Sequence, residues 1–278
     1  MTLKSSLTAR GLAPQKKFGQ HFLTDARILA RIADAAEISA RDVVLEIGPG
    51  LGHLTRALAD KARIVVAVEV DRGLAQKLQE DFAATRNVRI VCGDVLERAP
   101  AEWLAHAGVK AADFKLVANL PYYITSAVLR YALEAALQPR VIVVTVQREV
   151  AARMIAQPPE MSLLALSVQY YARARVIRKI PAGAFYPRPK VDSAVVRLDV
   201  IEPPRAAAGA AQEFFEIARA GFSGRRKQLR NALMHALPRA PRDIERALTD
   251  AQIDPTRRAE TLTIAEWESL ARALNRAD

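Results

Sequence analysis

The sequence predicts an α/β fold, in which a doubly wound, mostly parallel β-sheet carries helices on both faces and a small C-terminal α-helical domain follows. Two observations lead to this fold class. Apolar, β-branched runs alternate with helix-like stretches over most of the chain, as they do in parallel sheets assembled from βαβ units. Beyond a proline pair at residues 203 and 204 the pattern is helical only.

The strands and helices of the sheet follow one another along the chain. Thr24-Asp25 can cap the first helix, whose apolar residues recur at helical spacing. The predicted buried strands are residues 43–47, 64–70, 88–92, 115–118 and 141–146. The predicted helices between them are residues 54–62, 73–84 and 126–136. Two more apolar runs, residues 164–177 and 191–200, have no helical pattern between them, so we expect an antiparallel addition at one edge of the sheet.

A domain boundary is predicted where Pro203-Pro204 is followed by an alanine-rich linker over residues 205–211. We expect one domain over residues 1–203 and a helical domain over residues 204–278. The helices predicted in the second domain are residues 214–220, 225–236, 242–251 and 264–275. Thr263 and Glu266 form a capping box at the start of the last helix, and Leu262 and Trp267 are spaced as a hydrophobic staple.

The net charge predicts a polyanionic partner. The chain has 41 Lys plus Arg against 30 Asp plus Glu, a formal charge of +11, and nucleic acid is the leading candidate. Solubility alone is the other explanation. Cys92 is the only cysteine, which excludes an intramolecular disulfide, and the four histidines have no metal-ligand spacing. We expect no metal site.

The sequence also favours a cytoplasmic protein. No apolar run approaches the length of a membrane helix, and the first residues lack the apolar core of a signal peptide. A single cysteine suits a reducing compartment. We therefore expect no membrane contact.

The first strand runs into a glycine-rich turn that predicts a cofactor site. The turn reads Gly48-Pro49-Gly50-Leu51-Gly52, and glycines at a strand-to-helix turn let the backbone approach a ligand. A dinucleotide fingerprint would need a glycine at position 53, which is His53. The spacing is instead the G-x-G-x-G form typical of a Rossmann-like S-adenosylmethionine methyltransferase sheet. A tight turn without a ligand is the alternative.

Acidic residues end the next two strands. Glu69 lies where the ribose hydroxyls of a nucleoside would be, and we prefer it to Asp71 because it is embedded in the apolar run. Asp94, after the following strand, could accept a hydrogen bond from an adenine amine. Capping of the next helix is the alternative for either acid. Because ligands of open α/β sheets bind at the carboxyl ends of the strands, the glycine turn and both acids together favour a nucleoside cofactor.

The fourth strand ends in Asn119-Leu120-Pro121-Tyr122-Tyr123, a turn suited to the exocyclic amine of adenine. The lone pair of that amine is delocalised into the ring, and acceptors on its two hydrogens can draw it toward a sulfonium methyl. Asn119 Oδ1 and the Leu120 carbonyl would be these acceptors. Pro121 would stiffen the turn, and Tyr122 would stack on the base. A turn that holds a core aromatic is the alternative.

Several motifs in order make the chain resemble the KsgA/RsmA family of small-subunit ribosomal-RNA adenine dimethyltransferases. They are residues 19–23 (GQHFL), 119–123 (NLPYY), 147–151 (QREVA), 185–193 (FYPRPKVDS) and 222–231 (FSGRRKQLRN). The family usually carries Lys-x-Tyr-Gly before its Leu-Ser-Val segment, whereas this chain has residues 158–164 (PPEMSLL) there. We therefore assign no RNA contact to that loop.

The resemblance implies an enzyme that uses S-adenosyl-L-methionine. Its implied substrate is a pair of adjacent adenines in the loop of the 3′-terminal hairpin of small-subunit rRNA, each methylated twice within an immature 30S subunit. The implied cofactor-binding residues are Gln20, His21, Leu23, Gly48, Gly50, Glu69, Asp94 and Asn119. The implied catalytic residues are Asn119, Leu120, Pro121, Tyr122 and Phe185, with Phe185 on the face of the target base opposite Tyr122. We expect a monomer.

A basic segment in the second domain is predicted to bind RNA. Arg225, Arg226, Lys227 and Arg230 bring four cations into six residues. If the segment is helical, Arg226 and Arg230 share a face on which like charges repel unless a phosphate backbone neutralises them. An ordinary solvated face is the alternative.

Two other functions remain open from the sequence. A large-subunit rRNA methyltransferase of the macrolide-resistance type would share the sheet and the Asn-x-Pro-Tyr turn, but Leu120 and the basic segment favour the small-subunit enzyme. A non-catalytic RNA-binding assembly factor would not need the glycine turn, Glu69 or Asn119, and all of these are present.

Overall fold

The computed structural model describes residues 13–202, 208–224 and 226–275 of the 278-residue chain. They form two compact units. The first contains residues 13–151 and 173–200, and the second contains residues 152–172 and the described part of 201–275. No helix within these ranges is long and apolar enough to cross a membrane.

The elements are numbered in chain order. The strands of the described residues are β1 (Phe22–Leu23), β2 (Val43–Ile47), β3 (Ile64–Glu69), β4 (Val88–Cys92), β5 (Lys115–Asn119), β6 (Val141–Gln147), β7 (Ala172–Ile180), β8 (Phe185–Tyr186) and β9 (Ser193–Val200). The helices are α1 (Ala26–Ala35), α2 (His53–Ala59), α3 (Arg72–Asp81), α4 (Pro100–His106), α5 (Thr125–Leu133), α6 (Arg148–Met154), α7 (Leu163–Tyr171), α8 (Ala208–Gly221), α9 (Leu229–Ala236), α10 (Pro241–Asp250) and α11 (Ile264–Asn275).

Seven strands form one sheet in the order β4-β3-β2-β5-β6-β9-β7. The pairs β2–β3, β2–β5, β3–β4 and β5–β6 are parallel, and β9 runs antiparallel to β6. Helices connect the parallel strands, as crossover connections require. The predicted α/β class and the antiparallel addition are therefore confirmed.

The order of the strands fixes where a ligand can bind. The chain passes from β2 outward through β3 and β4, then returns to the other side of β2 for β5 and β6. Connections diverge at this switch point and leave a crevice at the carboxyl ends of the strands. Every residue of β2 is buried, because both faces of a central parallel strand are covered by helices.

A second, two-stranded sheet ties the N-terminal segment to the loop before β9. In this antiparallel pair Phe22 is opposite Tyr186, and Leu23 is opposite Phe185. Phe22, Leu23 and Phe185 are all buried. The GQHFL and FYPRPKVDS motifs, which are far apart in the sequence, therefore meet.

The prediction of a strand over residues 164–177 is wrong in its first half. The segment forms helix α7 and becomes strand only at Ala172. Ser162 starts the helix, since its Oγ accepts a hydrogen bond from Ala165 N at 3.1 Å. The helix is apolar on most sides, and periodicity cannot distinguish such a helix from a buried strand.

The second unit is a set of helices around an aromatic core. Tyr170 of α7 stacks on Phe214 of α8 with ring centroids 4.3 Å apart, and Trp267 of α11 is fully buried. The predicted capping box is present at the start of α11, where Thr263 N donates to Glu266 Oε2 at 2.7 Å and Glu266 N donates to Thr263 Oγ1 at 3.2 Å. The predicted linker is helical from Ala208 onward, and residues 203–207 lie outside the described residues.

The prediction of a helix over residues 225–236 is wrong at its start. Helix α9 begins at Leu229, whose N–H donates to Arg257 O at 2.7 Å. Arg226 and Lys227 lie in the preceding turn, closed by a hydrogen bond from Lys227 N to Gly224 O at 3.0 Å. Arg226 and Arg230 therefore do not share a helix face. Arg225 lies outside the described residues.

Candidate active site

A cavity of about 550 Å³ opens at the carboxyl ends of the central strands. It lies at the switch point, where an open α/β sheet binds its ligands. All the residues assigned from the sequence to the cofactor or to catalysis line it. They are Gln20, His21, Leu23, Gly48, Gly50, Glu69, Asp94, Asn119, Leu120, Pro121, Tyr122 and Phe185.

The glycine turn after β2 adopts a backbone that other residues avoid. Gly48 has φ +66° and Gly50 has φ +58°, both in the left-handed region. A Cβ on Gly50 would also lie 3.2 Å from the ring of Phe22. The turn is therefore held open by its conformation and is packed against β1.

Glu69, at the end of β3, is tied to the glycine turn. Gly50 N donates to its Oε2 at 3.0 Å, and Asp71 N donates to its Oε1 at 3.0 Å. Burial raises the pKa of the Glu69 carboxyl, against the effect of these hydrogen bonds. Each carboxylate oxygen has more than one acceptor position, so Glu69 can accept further hydrogen bonds from a ligand in the cavity.

Asp71 and Asp94 are both engaged by local backbone. Asp71 Oδ1 caps α3 through Gly73 N at 3.0 Å, while its Oδ2 accepts from the side-chain amides of Gln15 and Gln20 at 2.7 and 3.1 Å. The Gln20 amide is thus used to hold the N-terminal segment. Asp94 Oδ1 caps a short turn through Leu96 N at 3.0 Å, yet the exposed Asp94 side chain also lines the cavity.

The Asn119 side chain has a fixed orientation. Its Nδ2 donates to His21 O at 3.2 Å, and because a carbonyl only accepts, the opposite atom, Oδ1, is the acceptor. His21 Nδ1 lies 2.6 Å from Pro187 O and must carry the proton for the same reason. The N-terminal segment therefore orients the turn after β5.

Two aromatic rings lie in the same cavity as this amide. The Tyr122 hydroxyl hydrogen-bonds Ser193 Oγ at 2.7 Å, and its ring stacks on that of His21 at 5.8 Å. Burial raises the pKa of the Tyr122 hydroxyl, so it is neutral at physiological pH. Phe185 is buried on β8. Tyr123 is 64% exposed and makes the mouth of the cavity.

Glu46 is a cavity residue that the sequence analysis did not single out. It lies within β2, is 1% exposed, and neither carboxylate oxygen has a hydrogen-bond partner among the described residues. Burial raises the pKa of the Glu46 carboxyl to about 8, against an opposing interaction with the Thr55 hydroxyl and with a smaller contribution from the negative charge of Glu69. The available signal was one acid inside an otherwise apolar strand.

The lining residues fit a nucleoside that carries a positive charge. The positive-φ glycines make a cradle, Glu69 offers acceptors to hydroxyl groups, and Glu46 is an orphaned buried acid. The described residues contain no cluster of three or more His, Cys, Asp or Glu side chains that could hold a metal ion. This combination suits S-adenosylmethionine, which has a ribose, an ammonium group and a sulfonium.

The residues assigned to RNA binding are not part of the cavity. Arg226 and Lys227 are exposed residues of the second unit. Arg230 is half-buried and pairs with Glu245 at 3.3 Å. The three described cations therefore differ, because one of them is already in an exposed ion pair with a neighbouring carboxylate.

Comparisons with known proteins point to one family. A family model described as ribosomal RNA adenine dimethylase matches residues 12–276. "Ribosomal RNA small subunit methyltransferase A" of Dehalococcoides mccartyi (strain 195) is 45% identical over 267 residues, 96% of this chain and 90% of the relative. The protein of the same description from Moorella thermoacetica is 43% identical over 271 residues, 95% of this chain and 94% of the relative.

Solved structures show the same fold. The 23S rRNA methyltransferase ErmE superimposes with a TM-score of 0.71 at 30% identity, over 91% of this chain and 99% of that one. A dimethyladenosine transferase from Plasmodium falciparum superimposes with a TM-score of 0.74 at 24% identity, over 92% and 98% of the two chains. Both match nearly the full length of this chain.

Proposed function

The chain belongs to the ribosomal RNA adenine dimethylase family, and from that premise we propose how its cavity works. The protein transfers methyl groups from S-adenosyl-L-methionine to N6 of adenosines in small-subunit ribosomal RNA. One observation carries the assignment of the chemistry to this cavity. The strand ends suited to a nucleoside and the Asn119 turn open into the same space.

The small-subunit substrate is favoured over the large-subunit one by sequence. Relatives described as small-subunit enzymes are 41–45% identical to the chain, whereas the large-subunit enzyme ErmE is 30% identical. A non-catalytic role is disfavoured because Gly50, Glu69 and Asn119 are positioned around one cavity.

The cofactor would be held by backbone and carboxylate groups of the strand ends. Glu69 would accept hydrogen bonds from the ribose hydroxyls, and Asp94 from the adenine amine. The backbones of Gly48 and Gly50 would lie along the methionine part, with His21 and Leu23 closing the cavity. Gln20 would act by anchoring this segment to Asp71. When bound, the cofactor supplies an electrophilic methyl group on a sulfonium.

The target adenine would be activated by two acceptors. Asn119 Oδ1 faces away from His21 O and is available to one hydrogen of N6, and the Leu120 carbonyl would accept the other. These bonds localise the nitrogen lone pair and aim it. They become stronger as positive charge develops on the nitrogen, so they lower the barrier. The acidic proton of the methylated nitrogen then leaves without a strong general base.

Aromatic side chains would hold the base in place. Tyr122 and Phe185 both line the cavity, and base–aromatic stacking stabilises an extruded base by about 1–3 kcal/mol. Pro121, with its fixed φ, keeps the turn stiff. The hydrogen bond between the Tyr122 hydroxyl and Ser193 Oγ restrains the tyrosine before the base arrives.

The finer identity of the substrate is also part of the proposal. The target is a pair of adjacent adenosines in the 3′-terminal hairpin loop, each dimethylated within an immature 30S subunit, and the enzyme acts as a cytoplasmic monomer. Arg226 and Lys227, with the adjacent Arg225, would contact RNA phosphates. Arg230 would contribute less, because its ion pair with Glu245 partly offsets its charge.

Transfer of tritiated methyl groups tests the function. Undermethylated small subunits and large-subunit RNA are incubated separately with the protein and labelled S-adenosylmethionine. Incorporation into the small subunits alone is the expected result. Incorporation into large-subunit RNA alone would support the macrolide-resistance activity, and incorporation into neither would support a non-catalytic factor.

A further inference from the structure

We propose that strand β7 is a further RNA-docking surface, on which four cations bind the phosphate backbone of ribosomal RNA outside the cavity. The four residues, named here the β7 cations, are Arg173, Arg175, Arg178 and Lys179. The proposal rests on the proposed function for the class of partner, since it takes ribosomal RNA to be the substrate. It goes beyond that function because no step in the cavity uses these residues.

The first support is the position of the strand. β7 is the last strand of the seven-stranded sheet, and among the described residues no other strand pairs with its outer side. Side chains along a strand alternate between its two faces. Arg173, Arg175 and Lys179 occupy alternate positions and are exposed, and Arg178 is exposed as well. The strand therefore presents its cations to solvent along most of its length.

The second support is the spacing of the charges. Residues two apart on a strand are separated by about 6.6 Å, because each residue rises by about 3.3 Å. This separation is close to that of successive phosphates along an extended nucleic-acid strand. Arg173 and Lys179 are six residues apart, which is about 20 Å. The row therefore suits several phosphates in sequence rather than one small anion.

The third support is that few acids neutralise these cations. The strand itself, residues 172–180, contains no Asp or Glu. Arg175 Nε lies 3.7 Å from Asp199 Oδ2, but the Arg175 side chain remains 57% exposed, and Asp199 also pairs with the buried Arg197 at 2.7 Å. The other three β7 cations have no ion-pair partner among the described residues. Such cations favour a polyanion, because their binding releases the counterions held by its phosphates.

The fourth support is that the strand leads to the cavity. β7 ends at Ile180, and five residues later Phe185 of β8 lines the cavity. The turn between them is held by a hydrogen bond from Ala182 N to Asp192 Oδ1 at 3.0 Å. An RNA strand whose adenine enters the cavity can therefore continue along β7.

Protection of the sheet edge is the other role that charged residues have on an edge strand, because they prevent pairing with another chain. Charges of either sign serve that purpose, whereas phosphate binding requires positive ones. All four charges on β7 are positive. A reversal of their sign therefore separates the two roles.

The test variant is Arg173→Glu with Lys179→Glu, which removes two unpaired cations and keeps the edge charged. The matched control is Arg86→Glu with Arg89→Glu, which changes the net charge equally at β4, the opposite edge of the sheet. Arg86 and Arg89 are also exposed. Affinities for undermethylated immature small subunits and for protein-free small-subunit rRNA are measured at several salt concentrations, and cofactor affinity is measured by calorimetry.

We expect the β7 variant to bind subunits and rRNA about tenfold or more weakly at low salt, with the slope of log affinity against log salt reduced by about one unit per lost contact. The subunit concentration for half-maximal methyl transfer should rise. Turnover at saturating subunits and cofactor affinity should stay near the wild-type values. The control variant should lose less than about threefold, because salt screens charges that do not touch the RNA.

Three results would overturn the proposal. Native affinity and slope in the β7 variant would leave edge protection as the role of these cations, and an equal loss in both variants would reflect net charge alone. A loss with subunits but not with protein-free rRNA would assign β7 to a protein of the subunit. If the wild-type protein neither binds nor methylates small subunits, the proposed function itself fails, whereas each of the three results above leaves it intact.

Discussion

The orientation of one amide decides what Asn119 can offer to a substrate. Its Nδ2 donates a hydrogen bond to the carbonyl of His21, and this leaves Oδ1 as the free acceptor. The N-terminal segment that makes this contact is in turn held by Gln15 and Gln20 on Asp71. Residues far apart in the sequence thus preorganise the acceptor, which reduces the reorganisation needed during the reaction.

Asn119→Ala should lose most methyl transfer and weaken cofactor binding far less. Removing one positioned acceptor of this kind typically lowers the rate by about 10²–10³. Cofactor affinity is measured by calorimetry and turnover by methyl incorporation. Asn87→Ala is the matched control, because Asn87 bonds the carbonyls of Ala59 and Ala62 away from the cavity. Near-native turnover in Asn119→Ala would remove this residue from the mechanism.

Gly50→Val should abolish cofactor binding in a folded protein. The residue has φ +58°, and a side chain there would meet the ring of Phe22 at 3.2 Å. Gly108→Val is the control, since Gly108 has φ +75° but no atom within 4 Å of the added Cβ and does not line the cavity. Both variants are strained, and only the first should lose affinity. Equal affinities would mean that the turn is structural only.

Glu46→Gln should stabilise the ligand-free protein, increasingly as the pH rises from 5 to 8. The pKa of Glu46 is raised from 4.5 to about 8 in the folded state. Between these values the folded state binds more protons than the unfolded state, so the wild-type protein loses stability as the pH rises. Glutamine does not titrate. Melting temperatures at pH 5 and pH 8 test this, and a difference that stays constant with pH would contradict it.

At the scale of elements, the turn before α9 changes how the basic segment should act. Arg226 and Lys227 are exposed and have no ion-pair partner among the described residues, whereas Arg230 is paired with Glu245 at 3.3 Å. The paired cation is partly neutralised already. We therefore expect Arg226 and Lys227 in the turn to stabilise a bound RNA phosphate more than Arg230 on the helix does.

Arg226→Ala with Lys227→Ala should weaken binding to immature small subunits and leave cofactor affinity unchanged. The slope of log affinity against log salt should shrink by about one unit for each lost phosphate contact. Arg230→Ala serves as the matched control and should have the smaller effect. Titrations at several salt concentrations measure both. Native affinity and slope in the double variant would place RNA docking elsewhere.

The elements that sequence predicted well are those with a regular pattern between turn residues. Strands β2 and β4 have the predicted bounds, because short β-branched runs end at glycine or aspartate. Helix α7 was missed because its apolar residues face several sides at once. The start of α9 was misplaced because a tertiary hydrogen bond from Leu229 N to Arg257 O sets it.

At the scale of the whole molecule, the order of the strands determines where the cavity lies. The sequence predicted this order only at the level of the fold class, a doubly wound sheet. Glycines and acids at successive strand ends must meet at one edge of a parallel sheet. The pairing of β1 with β8 could not be predicted, because it joins segments more than a hundred residues apart. The lack of a hydrogen-bond partner for the Glu46 carboxylate oxygens could not be predicted either, since an absent contact leaves no pattern in a sequence.

The proposed reaction in this cavity is the dimethylation of adenines of small-subunit RNA, and its product can be measured directly. Undermethylated small subunits are incubated with S-adenosylmethionine and either wild-type protein or Asn119→Ala, and the RNA is digested and its nucleosides are identified by mass spectrometry. N6,N6-dimethyladenosine should form with the wild-type protein and be reduced to a trace with the variant. A wild-type reaction without dimethyladenosine, or an equal yield from both proteins, would contradict the proposed activity of this cavity.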